Sequence, residues 1–143
     1  MKPLLLLCAL FISISGYSQM IQKTVNFESN KYEISEADKD AIQAIFDTIF
    51  VLHIQLEGHT DDVGSPEANL QLSKNRVDAV ADYLQSIGIP EAQISLNYLG
   101  ENDPIATNLT EVGKEQNRRV DIIIEYETDA PIVGVDIDPE TPL

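Results

Sequence analysis

The stretch VLHIQLEGHTDDVGSPEANLQLSKNRVDAVADYLQSIGI (51–89) carries two different periodicities with a polar turn between them. In its first part Leu52, Ile54 and Leu56 alternate with His53, Gln55 and Glu57. That period of two predicts a strand with one buried and one wetter face. In its second part Leu70, Val77, Val80, Ala81 and Leu84 recur at helical spacing and are expected to face the sheet. Ser65 offers an N-cap side chain and Pro66 fits the first helical position. Gly88 and then Pro90 supply the stop. A half-buried strand feeding an amphipathic helix is the unit around which the rest of the chain is placed.

Working outward, alternation recurs three times. TVNF (24–27) sets Val25 and Phe27 on one side, and QISLNYL (93–99) does the same with Ile94, Leu96 and Tyr98. RRVDIIIEY (118–126) places Val120, Ile122, Ile124 and Tyr126 opposite Asp121 and Glu125. An earlier helix begins at Ser35, with Asp38 three residues on as in a capping box, and carries Ala41, Ile42, Ile45 and Ile49 on one stripe. Strands with one wet face call for helices on a single side of the sheet. The fold class expected is therefore an α/β (α+β) two-layer sandwich in the order β-α-β-α-β-β, with residues 106–117 forming a loop and a short helix.

The two ends of the chain differ from this body. MKPLLLLCALFISISGYSQ (1–19) has a lysine, an apolar run of about 11 residues, and then small residues. The run is too short to cross a bilayer core and suits a signal peptide, with cleavage expected before Gln19. Residues 1–18 are thus expected to be the leader, 19–127 the domain, and 128–143 an acidic, proline-containing tail in which PIVGVDI offers a further edge strand. Cys8 lies inside the apolar run, without the small residue before it that a lipidated cysteine requires. A mature chain without cysteine has neither a disulfide framework nor a thiolate metal site.

The formal net charge is −15, and loss of Lys2 with the leader takes it to −16. Such a field opposes nucleic acid and anionic membrane surfaces, and no membrane span is expected in the mature chain. About 125 residues suffice for one domain with a sizeable core.

The turn and helix start hold the polar groups that could carry function. Asn69, Leu72 and Arg76 share one helix face, about 100° from Leu70 and Val77, so Arg76 need not enter the core. Asp61 lies in the turn at the carboxyl end of the strand, where clefts in parallel units open. An aspartate accepts from an ammonium and an arginine forks onto a carboxylate, so the pair suits an amino-acid zwitterion. The competing arrangement pairs Asp61 with Arg76 internally. His59, Asp61 and Asp62 diverge in an extended turn, which argues against zinc. His59 is expected to hydrogen-bond within the turn, and neither histidine has an obvious serine partner. With no nucleophile placed against a base, no catalytic residue, metal or cofactor is expected.

GHTDDVGSPEANLQLSKNRVDAVADYLQSIGI (58–89), YLGENDPIATNLTEVGKEQNRRVDIII (98–124) and the earlier FESNKYEIS (27–35) closely resemble the C-terminal domain of outer-membrane protein A, a domain shared with peptidoglycan-associated lipoproteins and flagellar stator proteins. The resemblance covers about residues 24 to 126. It implies a mixed sheet with helices on one face, and non-covalent binding of peptidoglycan through the diaminopimelate of its stem peptides. By position, Asp61 matches the aspartate that meets the ligand ammonium and Arg76 the arginine that takes the carboxylate. Asn69 and Leu72 match pocket positions, Asn30 to Tyr32 match the first loop, and Arg118 matches a rim arginine. Gly58, Thr60, Gly64, Ser73, Gly100, Pro104, Asn108, Gly113 and Asn117 match framework positions. Ala68 stands where many members carry an aromatic residue, and Lys114 where arginine is common. The implied partners are peptidoglycan and an outer-membrane protein complex, and the implied place is the periplasm, wall-associated and near the outer membrane. A second expectation is a periplasmic protein-interaction scaffold with little wall binding. Replacing Asp61 or Arg76 by alanine is expected to abolish wall binding with little effect on the melt.

Overall fold

The computed structural model describes residues 17–128. The expected leader up to residue 16, and the tail from 129 onward with its PIVGVDI segment, lie outside the described residues. Four strands and three helices follow in the order β1 (Tyr17–Asn26), α1 (Glu36–Phe46), β2 (Phe50–His59), α2 (Pro66–Ser86), β3 (Ile94–Gly100), α3 (Glu111–Asn117) and β4 (Arg119–Thr128). The strands form one sheet in the order β1-β4-β2-β3. β4 is antiparallel to both its neighbours, and β2 and β3 are parallel. This is the mixed sheet of an α+β sandwich.

Local chemistry starts each helix where the sequence places it. Ser35 accepts the amide of Asp38, its hydroxyl reaching back to the Asp38 carboxylate at 2.7 Å. Ser65 accepts the amide of Ala68, with Pro66 in the first helical position. Each cap satisfies an amide that the helix start leaves without an internal partner. The buried face of the sheet is Val25, Ile54, Leu56, Val120, Ile122 and Ile124, covered by Ile42 from α1 and by Val77, Val80, Ala81 and Leu84 from α2. α2 comes close enough to β2 that a Cβ on Gly58 would lie 2.6 Å from the Ser73 carbonyl oxygen and 2.5 Å from Val77 Cγ2. Only glycine admits that approach.

Three expected core leucines are exposed instead, each for a different reason. The register between β2 and β4 shifts between Val51 and His53, so Leu52 sits in a bulge and Val51 takes the inward place. Leu96 lies on β3, which has a single neighbouring strand among the described residues, and is exposed. On α2 the buried stripe runs through Asn69, Ser73, Arg76, Val77 and Val80, which turns Leu70 outward. β1 is also longer than TVNF: it begins at Tyr17, and residues up to Gln22 are exposed along it.

Candidate functional site

β1 and β2 both run antiparallel to β4, so the carboxyl ends of β1, β2 and β3 share one end of the sheet with the start of β4. The loops leaving those three strands, the first turns of α2 and the α3–β4 junction therefore meet there. Most of the residues singled out in the sequence lie at this end, and the geometry separates them into distinct roles.

Asp61 does not pair with Arg76. Its Oδ2 accepts from Arg118 NH1 at 3.1 Å and its Oδ1 accepts the Val63 amide at 3.1 Å. The two side chains are 8% and 10% exposed, so the ion pair sits at a lip and not in open solvent. Arg118 is steadied from behind, donating through Nε to the Phe27 carbonyl at 3.0 Å.

Arg76 enters the core, contrary to its expected place beside it. Its relative exposure is 0%. Nε donates to the Lys31 carbonyl at 2.8 Å, NH1 to that of His59 at 2.9 Å and NH2 to that of Glu28 at 3.1 Å. The guanidinium stacks 5.2 Å from the Phe27 ring centroid. Burial lowers its pKa to about 10, with Arg118 adding to the shift and Asp61 opposing it, so the group stays charged at neutral pH. One cation thus ties the first loop to the end of β2.

Asn69 is buried and donates to the Asp61 carbonyl at 3.3 Å and to the Glu101 carboxylate, linking the second loop to the third. Asn30 sits in the first loop at φ 55°, a left-handed turn position that asparagine tolerates. Leu72 is half-buried on α2. Tyr32 is turned to the other flank of the first loop, where it lines a groove with Ala79, Asp82 and Tyr83. The structure therefore joins Asp61, Arg118, Asn69 and Arg76, and turns Tyr32 to a different groove.

A groove of ≈ 510 Å³ opens beside Arg118, between Phe27 and Glu28 on one side and Val112, Glu115 and Gln116 of α3 on the other. A second, of ≈ 390 Å³, shares Asn26, Phe27 and Glu28 and runs toward Lys31 and Glu33. The α3 residues were absent from the sequence-derived set, although they directly precede the Asn-Arg-Arg-Val motif and that adjacency was a usable signal. Glu101, which anchors Asn69, left no signal in spacing.

Both histidines differ from expectation. His53 Nε2 lies 3.0 Å from Ser95 Oγ across β2 and β3, on the exposed sheet face. His59 is buried, and neither ring nitrogen has a hydrogen-bond partner among the described residues. Among the described residues no group of three His, Cys, Asp or Glu side chains is placed to hold a metal ion. None of the described helices is long and apolar enough to cross a membrane.

Comparison with known proteins places this arrangement. The outer-membrane lipoprotein YfiB of Pseudomonas aeruginosa is 32% identical over 115 residues, covering 78% of this chain and 68% of that protein. The peptidoglycan-binding protein ArfA of Mycobacterium tuberculosis is 38% identical over 93 residues, 65% of this chain but 27% of ArfA, so the match spans about a quarter of that relative. The crystal structure of the peptidoglycan-associated lipoprotein from Burkholderia pseudomallei superposes with a TM-score of 0.63 at 29% identity, covering 71% of this chain and 88% of that one. The OmpA family model matches residues 26–118, from the end of β1 to the arginine that meets Asp61, and the chain belongs to the OmpA family.

Proposed function

We propose that this domain binds peptidoglycan non-covalently in the periplasm, through the diaminopimelate of stem peptides, and so helps link or organise the cell envelope. Family membership and the peptidoglycan-binding relative ArfA support the polymer. The observation that carries the reading is the ion pair of Asp61 with Arg118, which itself lines the groove. An incoming zwitterion exchanges with that pair: its ammonium replaces the guanidinium at Asp61, and its carboxylate takes the released Arg118 fork. Asn69 holds the Asp61 turn, and Asn30 and its neighbours offer backbone groups from the first loop. Arg76 acts from beneath, by fixing the loops that carry these groups.

Exchange of one charge-assisted set for another gains little net free energy, since each such bond is worth about 1.5–3 kcal/mol and an equivalent one is broken. A single stem is therefore expected to bind at roughly micromolar to millimolar Kd. Stems cross-linked through the side-chain amine lose the charge that Asp61 recognises, which gives a preference for uncross-linked wall. Calorimetry with free and amine-acylated stem peptide, beside sacculus co-sedimentation of wild type and Asp61→Ala, tests this. The expected result is at least about tenfold weaker binding of the acylated peptide, one lost ion pair in a largely buried setting, and no sedimentation of the variant. Equal affinities and retained sedimentation reject the reading.

The division into a leader (1–18), a domain (19–127) and a tail (128–143) belongs to the same proposal. Cleavage before Gln19 removes only two residues from the exposed start of β1.

One observation favours the scaffold reading. Val63, Ile105 and Leu109 are exposed in the loops after β2 and β3, Leu109 at 94%. Apolar side chains in such loops suit a protein partner. Pull-down from periplasmic extract, with and without added peptidoglycan, separates the two: wall binding predicts competition, and a scaffold predicts none.

A further inference from the structure

The sheet face away from α1 and α2 carries, at its ligand end, a closed polar cell that the proposed binding does not use. His59 ends β2 with a relative exposure of 1%. Its Nε2 lies 3.7 Å from Asp121 Oδ2, and both ring nitrogens lack hydrogen-bond partners among the described residues. Asp121 is already engaged, accepting from Thr24 Oγ1 at 2.7 Å and from Arg119 Nε at 2.9 Å. Arg119 is itself buried; its NH2 reaches the Asp103 carbonyl only at 3.5 Å, and its NH1 has no partner among the described residues. One carboxylate and one guanidinium balance while the imidazole is neutral. An added proton puts a second cation beside the buried Arg119, on a ring with no hydrogen-bond partner among the described residues.

His59 also belongs to the ligand end through its backbone. Its carbonyl accepts Arg76 NH1, the Thr60 amide is bonded to the Gly100 carbonyl at 2.8 Å, and Asp61 follows two residues on. The same residue therefore has its ring in the charge cell and its carbonyl in the shell of the cation that fixes the loops.

We propose that His59 is an acid-sensitive latch: protonating its ring opens the Asp121–Arg119 cell, shifts the end of β2, and loosens the Arg76 and Asp61 turn so that the wall ligand is released. The release step rests on the wall-binding reading; the opening of the cell does not. The groups facing the ring are Arg119 and Asp121 from β4, Asp103 from the third loop and Glu57 from β2 itself. Burial lowers the pKa of the ring below the usual histidine value, Arg119 acts in the same direction, and the three carboxylates oppose them. The sign follows. A histidine with a depressed folded pKa leaves the fold intact above its unfolded value of about 6.5 and destabilises it as pH falls toward the folded value. The latch is closed at neutral pH and opens in mild acid.

Two arms test it. Without ligand, the imidazole and arginine side-chain resonances are followed by NMR between about pH 7.5 and about pH 4.5, the range in which a depressed histidine titrates. The expected result is that the Arg76 Nε–H and the Thr60–Val63 amides lose exchange protection with the His59 midpoint. Unchanged protection through that midpoint overturns the proposal. With stem peptide, wild-type affinity is expected to fall at least about fivefold over the same range, while His59→Gln, neutral throughout, stays within about twofold. A fall of equal size in His59→Gln overturns the coupling to release. If no stem peptide binds at any pH, the wall reading fails, and the ligand-free arm still decides the latch.

Discussion

Replacing Arg76 by methionine is expected to destabilise the domain by about 3–5 kcal/mol, the range for removing one partner from a buried charged network. For a domain of this size that corresponds to a fall in Tm on the order of 15 °C. Methionine keeps much of the aliphatic stem but donates nothing, so the carbonyls of Glu28, Lys31 and His59 lose their shared donor at once. The first loop and the end of β2 then have no common anchor. Arg76→Lys is expected to fall between the two, because an ammonium cannot reach all three carbonyls from one fixed plane. Thermal melts by circular dichroism, with amide exchange over residues 27–33, check both. The sequence led to the opposite expectation, a variant that melts almost like the wild type. An Arg76→Met protein melting within about 2 °C of wild type, less than about 1 kcal/mol at this size, would restore it.

The second large effect is expected at Gly113, inside α3. A Cβ there would lie 1.8 Å from the Thr107 carbonyl oxygen and 2.9 Å from its carbon, a clash with backbone. The loop cannot step aside, because Asn117 at the far end of the same helix grips it. Asn117 Oδ1 accepts the amides of Ile105 and Ala106 at 2.9 and 3.0 Å, and its Nδ2 donates to the Ala106 carbonyl and to Asn108 Oδ1, each at 2.9 Å. The helix must move instead, and with it Val112, Glu115 and Gln116, which form one wall of the groove beside Arg118. Gly113→Ala is expected to lose about 3 kcal/mol, the upper range for overpacking, and on the order of 10 °C in Tm. Ligand affinity should fall with it. An alanine variant with wild-type melting and affinity would show that the helix and loop yield to each other without cost.

Much of this architecture was legible from local pattern. The caps at Ser35 and Ser65 and the alternation of Val120, Ile122 and Ile124 depend on neighbours in sequence, and each is found where it was expected. Misplaced residues depend on partners far along the chain. Leu52 is turned out by a register shift against β4, and Leu96 lies outside on β3, beyond which the described residues supply no further strand. Arg76 shows the limit most clearly. Helical geometry gave its direction to within one turn, but not that carbonyls from residues 28, 31 and 59 would converge to make burial of a cation tolerable. The partner of Asp61 was hidden for the same reason: Arg118 is 57 residues away and reaches it only after β4 has joined the sheet.

The pairing of β1 with β4 has a mechanical consequence. Once the leader is removed, Gln19 and Tyr126 lie side by side near the pole farthest from the loops that carry Asp61, and the ladder from there runs along β1 to Asn26. A pull applied between a ligand held at those loops and a tether at Gln19 would run along the strands, loading the hydrogen bonds sideways and together, since they lie across the strand direction. A pull between the two flanks themselves would peel the ladder open one rung at a time. The same fold is therefore stiff to tension between wall and tether and weak to being spread at its base.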